Sequence, residues 1–303
     1  MMMTVEIAGV SKRYGKLHAV KDVAFGLNTG ETVALVGHNG AGKTTLIKLM
    51  LGLIRPTDGH VRVLGEDPAH GDFAVRQRLG YLPESVSFHL ALTGRETLSF
   101  YARLKRVDLA STDSLFERVG LAPEAVDRPV RTYSKGMRQR LGLAQALLGE
   151  PRVLLLDEPT SGLDPALRRS FYDLIADLRD RGATVMLSSH ALTELEGRAD
   201  RVIIVNRGVK IADGSLDELR RIARLPTRVS VRLADDGPAP AWANGGSHWR
   251  RTGQLLEADV SPEDKIGLLH DITANPDRLA ALTVAEPTLD ELYAHFLSGQ
   301  ERP

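Results

Sequence analysis

The 303-residue chain contains no cysteine, which excludes disulfides and thiolate metal sites and fits a reducing compartment. It has no surplus of either charge: 39 Lys and Arg balance 39 Asp and Glu, so no basic excess points to nucleic acid. It also lacks any run approaching the about 18 apolar residues that a membrane span needs. If the function lies at a membrane, another chain must do the spanning. The opening methionines lead into Thr4-Val5-Glu6 without a basic and apolar leader, so no signal peptide is expected. The length leaves room for two domains, or for one large domain with an appendage.

What is present centres on Gly37-His38-Asn39-Gly40-Ala41-Gly42-Lys43-Thr44-Thr45, which fits the phosphate-cradling pattern G-x-x-x-x-G-K-[ST]. Its glycines let the backbone curl until successive amide hydrogens point at phosphate oxygens. Lys43 would reach the β- and γ-phosphates, Thr44 would place its hydroxyl on Mg²⁺, and a helix starting near Gly42 would offer its positive end. The flanks agree. Glu31 to Val36 reads as a buried parallel strand, and Thr45 to Leu51 is apolar at helical spacing before a stop at Gly52. This order is built to hold a nucleoside triphosphate such as ATP.

Residues 4 to 36 read as several short strands broken by Gly15, Gly26 and Gly30, with Tyr14 at an exposed turn. Alone, an aromatic there is more often a packed β residue than a base-stacking platform. From Thr93 the period becomes helical: Thr93-Gly94-Arg95-Glu96 is a capping box, a second helix runs from Thr112 towards Gly120, and residues 93 to 150 form a helical insert. Within it, Tyr133-Ser134-Lys135-Gly136-Met137 opens a helix with Ser134 as N-cap and Gly136 leaving the first-turn amides uncovered. Val153 to Leu156 is an apolar strand ending in Asp157 and Glu158. Strand neighbours face opposite ways, so Asp157 would support Mg²⁺ with Thr44 while Glu158 would aim at the water attacking the γ-phosphate. Asp164 and Pro165 start a helix, and the strand Thr184 to Ser189 delivers His190 to the edge where a parallel sheet binds ligands.

In this order these residues resemble the nucleotide-binding subunits of ABC transporters, over residues 4 to about 222. The resemblance implies an α/β P-loop NTPase fold with a RecA-like core, an antiparallel β subdomain and a helical subdomain at about 85–150. It makes residues 1–225 the ATPase domain and Tyr14 the aromatic that stacks on adenine. It also makes Asp157 and Glu158 the acidic pair, with Glu158, His190 and Lys43 catalytic. It implies a head-to-tail pair in which Ser134, Lys135, Gly136, Met137 and Asp164 of one copy meet the nucleotide of the other. Where the family usually has glutamine this chain has Glu84, placed near the metal. Lys135 and Met137 stand where the family's signature usually has glycine and glutamine.

The implied partners are a second copy and an integral membrane permease, with the chain peripheral at the cytoplasmic face of the membrane. A narrower resemblance, carried by His38-Asn39, Gly80 to Phe88, Gly94 to Leu98, Ala102 to Lys105 and Thr132 to Pro151, is to the NosF-type ATPases serving maturation of the copper enzyme nitrous oxide reductase. It implies copper or sulfur trafficking and a periplasmic maturation partner reached through the permease. Another exporter, of drug, lipid or ion type, is the alternative, and a soluble non-transport ABC ATPase is a further one. No metal-transfer site is expected on this chain.

After Leu225-Pro226 the composition shifts. Asp235 to Pro240 and Asn244 to Gly246 read as loops, Arg228–Leu233, Leu255–Val260 and Leu282–Ala285 as strands, and Ser261 and Thr288 as helix starts. Residues 226–303 are therefore expected to form a small α/β accessory domain; it resembles the C-terminal domains of some exporter ATPases, which implies dimer contact or regulation, and a structural cap is equally compatible with the sequence.

Overall fold

The computed structural model describes residues 2–71, 73–244, 249–274 and 276–300, so Gly245 and Gly246 of the expected loop lie outside the described residues. Two units follow each other along the chain, Met1–Ser215 and Leu216–Pro303. In the first, β1 (Met3–Tyr14) and β2 (Leu17–Asn28) form a long antiparallel pair, β3 (Thr32–Val36) starts a second sheet, and β4 (Asp58–Val63) returns to the other side of β1. The expectation of several short strands is corrected here. Gly26 lies inside β2 opposite Glu6, and pairing with β1 carries the strand through it. The absent side chain leaves room for Met3, whose sulfur would lie 2.8 Å from a Cβ at that position.

The second sheet adds β5 (Leu79–Leu82), β6 (Val153–Leu156), β7 (Thr184–Ser189), β8 (Arg201–Asn206) and β9 (Val209–Gly214), in the order β5-β6-β7-β3-β8-β9. All pairs are parallel except β8 with β9. Every residue of β3, β6 and β7 is buried, which is why these segments are continuously apolar rather than alternating. Their parallel register brings the chain segments after Val36, Leu156 and Ser189 to one edge of the sheet.

Helix α1 (Lys43–Met50) follows β3, and a short α2 (Phe73–Gln77) precedes β5. The helical insert holds α3 (Gly94–Lys105), α4 (Thr112–Arg118), α5 (Pro123–Val126) and α6 (Lys135–Leu147), and α7 (Pro165–Asp180) connects β6 to β7. The capping box is present: Thr93 Oγ1 accepts from the Glu96 amide at 3.1 Å and Glu96 accepts from the Thr93 amide at 2.8 Å. The Thr93 amide and, at 3.0 Å, the Thr93 hydroxyl both donate to the Glu96 carboxylate, and these two bonds, the backbone one first, hold it below its usual range.

At the far end of α3, half-buried Lys105 donates to the Leu148 carbonyl at 2.6 Å, and burial pushes its ammonium down to about 8. The unfolded chain would hold that proton up to about 10.4. Between these values the unfolded state binds the proton that the folded state has released, so stability rises with pH. Lys105→Met is expected to be more stable than the parent at pH 7 by about 1–2 kcal/mol, the gap closing as pH rises from 8 to 10. Urea midpoints across that range measure it, and a pH-independent difference would refute it.

The second unit begins with α8 (Leu216–Ala223) and continues through β10 (Thr227–Leu233), β11 (Arg250–Thr252), β12 (Leu255–Val260), α9 (Lys265–Thr273), β13 (Leu279–Ala285) and α10 (Leu289–Gln300). Its sheet is antiparallel in the order β11-β12-β10-β13. Val229, Val231, Leu256, Ala258 and Ile272 form a core of its own. α8 packs against α10, so residues 216–223, which fall inside the 1–225 expected for the ATPase domain, group with this unit, and the division falls after Ser215. Strand β11 was not anticipated, since its three exposed residues carry no apolar face.

Candidate nucleotide-binding site

The loop after β3 is shaped by contacts that only glycine permits. A Cβ on Gly37 would lie 2.5 Å from the Val205 carbonyl oxygen, and one on Gly42 2.7 Å from that of Ala19. Gly42, at φ 107°, is the N-cap of α1, with no side-chain cap and no acid in the first turn. The first-turn amides are thus left without a protein side-chain acceptor, at the positive end of the helix. Lys43 is 7% exposed and points back into the loop, donating to the carbonyls of Gly37 at 2.5 Å and His38 at 3.5 Å.

Three strand ends complete the site. Asp157, 3% exposed, accepts from Thr44 Oγ1 at 3.0 Å through one carboxylate oxygen and from Ser188 Oγ at 2.6 Å through the other. The Ser188 oxygen also accepts from the Glu158 amide at 2.9 Å. Ser188 therefore fixes the side chain of one acid and the backbone of the next, a role the sequence reading missed. The available signal was a hydroxyl pair, Ser188-Ser189, closing an otherwise apolar strand directly before His190. Glu158 sits in the left-handed region at φ 49°, unusual for a residue with a Cβ, and its carboxylate meets His190 Nδ1 at 2.6 Å. Burial pushes the neighbouring Tyr81 phenol above its usual value, and the Asp157 charge adds to this.

These groups open onto one cleft of about 930 Å³, lined by Tyr14, His38, Asn39, Gly40, Ala41, Gly42, Lys43, Thr44, Thr45, Glu84, Asp157, Glu158 and His190. Gly37 lies behind it, as the acceptor for Lys43. Leu17, His18, Ala19 and Arg207 also line it and were not foreseen. The signature residues are elsewhere. Ser134, Lys135, Gly136, Met137 and Asp164 do not line this cleft; Ser134 Oγ accepts from the Met137 amide at 3.2 Å and Asp164 caps α7 at 3.0 Å. Ser134 and Lys135 are exposed.

The ABC transporter family model matches residues 20–161. An uncharacterized ABC transporter ATP-binding protein, YdbJ of Bacillus subtilis, is 40% identical over 305 residues, covering 98% of this chain and 98% of the relative. The chain belongs to the ABC transporter ATP-binding proteins. The daunorubicin resistance ATP-binding protein DrrA3 of Streptomyces coeruleorubidus is 35% identical, with 98% of this chain and 96% of DrrA3 covered. Among solved structures, the ATP-binding subunit of an ABC transporter superposes with a TM-score of 0.68 at 32% identity, covering 72% of this chain and 92% of that one. The dimeric bacterial ABC transporter cassette MJ0796 shares the fold, with a TM-score of 0.65 at 22% identity over 70% of this chain and 98% of its own. This ABC ATPase is thus an ATP-binding, ATP-hydrolysing transporter subunit with a P-loop NTPase fold.

Proposed function

We propose that this subunit energises a separate membrane permease through ATP-dependent closure of two copies, head to tail. One observation carries the reading: the loop and both acids share a cleft, while Ser134 and Gly136 lie outside it, one exposed and one half-buried. A helix start with receptive amides, removed from its own nucleotide, is suited to a nucleotide held by a partner. Among the described residues no helix is long and apolar enough to cross a membrane, in keeping with peripheral attachment at the cytoplasmic face through the permease.

In this reading Tyr14 stacks on adenine, the Gly37–Thr45 loop wraps the phosphates, and Lys43 neutralises their charge. The donor set fits Mg²⁺. Thr44 Oγ1 and Asp157 Oδ2, 3.0 Å apart, offer hard oxygen donors that would hold the ion. Bound there, with Glu84 on the same cleft, Mg²⁺ would supply charge neutralisation for phosphoryl transfer. Glu158 holds the attacking water and accepts its proton; His190, which touches Glu158, orients that carboxylate and reaches towards the γ-phosphate. Closure by Ser134 and Gly136 of the partner copy excludes water, and phosphate loss reopens the pair.

For the cargo we infer an exporter, since relatives such as DrrA3 are named for drug resistance. The second reading, copper or sulfur trafficking for nitrous oxide reductase with a periplasmic partner, rests on the stretches Gly80 to Phe88 and Gly94 to Leu98. Deleting the gene separates them: drug sensitivity with intact nitrous oxide reduction supports the first, and the reverse the second. The closure itself is tested by Gly136→Asp, which has space, its nearest neighbour to a new Cβ being Leu163 Cδ2 at 3.9 Å. The variant is expected to bind ATP with the parent's affinity yet fail to dimerise in light scattering with ATP. Normal ATP-dependent dimerisation would reject the trans arrangement.

A further inference from the structure

The β8–β9 hairpin carries a cation into the nucleotide cleft that neither the family motifs nor the sequence reading assigns. We propose that Arg207 is a nucleotide-binding residue, its guanidinium contacting the α- and β-phosphates of the bound ATP or ADP. The inference rests on the nucleotide reading of the cleft.

The hairpin tip is built onto the phosphate loop. The Gly208 amide donates to the Ala41 carbonyl at 2.9 Å, and the Gly208 carbonyl accepts from the Lys21 amide at 2.8 Å. There is no slack: a Cβ on Gly208 would lie 2.8 Å from the Ala19 oxygen, and one on Gly42 3.4 Å from Gly208 Cα. A residue at this tip therefore keeps a fixed position relative to Gly42 and the start of α1. Arg207 is the tip's contribution to the cleft lining, which also includes Leu17, His18 and Ala19.

The residue type is out of keeping with a plain turn. Arg207 occupies the left-handed region at φ 47°, where asparagine or glycine would sit with less strain. Among the described residues it makes no salt bridge, whereas Arg201, at the start of the same hairpin, is held by Asp213 and Glu31. A five-donor fork beside the amides of a phosphate loop matches the oxygens of a phosphate chain. Gly208, the next residue, is the one that touches Ala41 and Gly42, so Arg207 is placed beside the start of α1, where the phosphates common to ATP and ADP are read to lie.

Binding of a fluorescent ATP analogue, and competition by ADP, would be measured for Arg207→Ala, Arg207→Asn and Lys43→Ala. Asparagine suits the left-handed backbone, so it removes the guanidinium without straining the turn, and thermal melts report the fold. Both Arg207 variants are expected to bind ATP and ADP about 3–10-fold more weakly, the range for a charge-assisted contact that is partly solvated, with a shallower dependence of affinity on NaCl. Parental affinity in Arg207→Asn, or a loss confined to ATP, would overturn the assignment. If Lys43→Ala abolishes binding while both Arg207 variants bind normally, the cleft reading stands and this proposal fails. If no variant alters binding, both fail.

Discussion

Glu158→Gln is expected to bind ATP within about twofold of the parent while its turnover falls by at least about 10²-fold, the scale of a removed general base. The carboxamide has the same shape and can still take up the left-handed backbone that the Ser188 hydroxyl supports through the Glu158 amide. What it cannot do is accept a proton from water. The Asp157 carboxylate, tied to Thr44 and Ser188, is unaffected by the change, so binding of the nucleotide and its cation is preserved. With hydrolysis blocked and ATP retained, the two copies have no route to reopen, and the variant is expected to run as a stable dimer in ATP but as a monomer without it. Phosphate release and size-exclusion chromatography read the two effects separately. Near-parental phosphate release would remove Glu158 from the reaction. Loss of hydrolysis without dimer accumulation would keep the base and reject the coupling of closure to ATP.

The resting geometry adds a second readout. Glu158 is engaged by His190 through both the ring nitrogen at 2.6 Å and the backbone amide at 3.3 Å. The carboxylate is nearly buried while the His190 side chain is 70% exposed, so the histidine is the partner free to move when a nucleotide arrives. His190→Ala is therefore expected to slow turnover less than Glu158→Gln does, because it removes an orienting contact and leaves the base in place.

Much of the site and of the helical insert could be read in the sequence because the features involved are encoded locally. The phosphate loop, the capping box at Thr93 and Glu96, the N-cap at Ser134 and the acids ending β6 each depend on residues a few positions apart. The elements that escaped notice depend on pairing between distant segments. Ser188 acquires its role only because β7 lies beside β6, bringing it to an acid 31 residues away in the chain. Arg207 joins the cleft only because β8 pairs with β3 and the hairpin then lies on the loop. Gly26 read as a break because its own propensity is poor, yet the partner strand decided the matter. The division after Ser215 arises in the same way, from packing of α8 on α10, a helix more than sixty residues further along.

Lys43→Met is expected to remove most of the thermal stabilisation that ATP confers while leaving the nucleotide-free protein as stable as the parent, or more so. Lys43 as a residue is 7% exposed, and its ammonium forms no salt bridge among the described residues and donates to the loop carbonyls of Gly37 and His38. A buried cation with carbonyl partners alone carries a desolvation penalty that an apolar side chain of similar length avoids. In the nucleotide-bound state the same cation meets phosphate oxygens, and charge-assisted hydrogen bonds in a partly dry site are among the strongest a protein makes. The penalty borne without ligand thus becomes affinity with it. Losing the cation should weaken ATP binding by about 100-fold, equivalent to about 3 kcal/mol. Because a ligand at 100 times its dissociation constant stabilises the folded state by about 2.7 kcal/mol and one at its dissociation constant by only about 0.4 kcal/mol, most of the melting shift seen in the parent should be lost at the same ATP concentration in the variant. Differential scanning calorimetry with and without ATP tests both halves. A variant that melts well below the parent without nucleotide, yet keeps the full ATP shift, would mean that Lys43 serves the fold and not the phosphates.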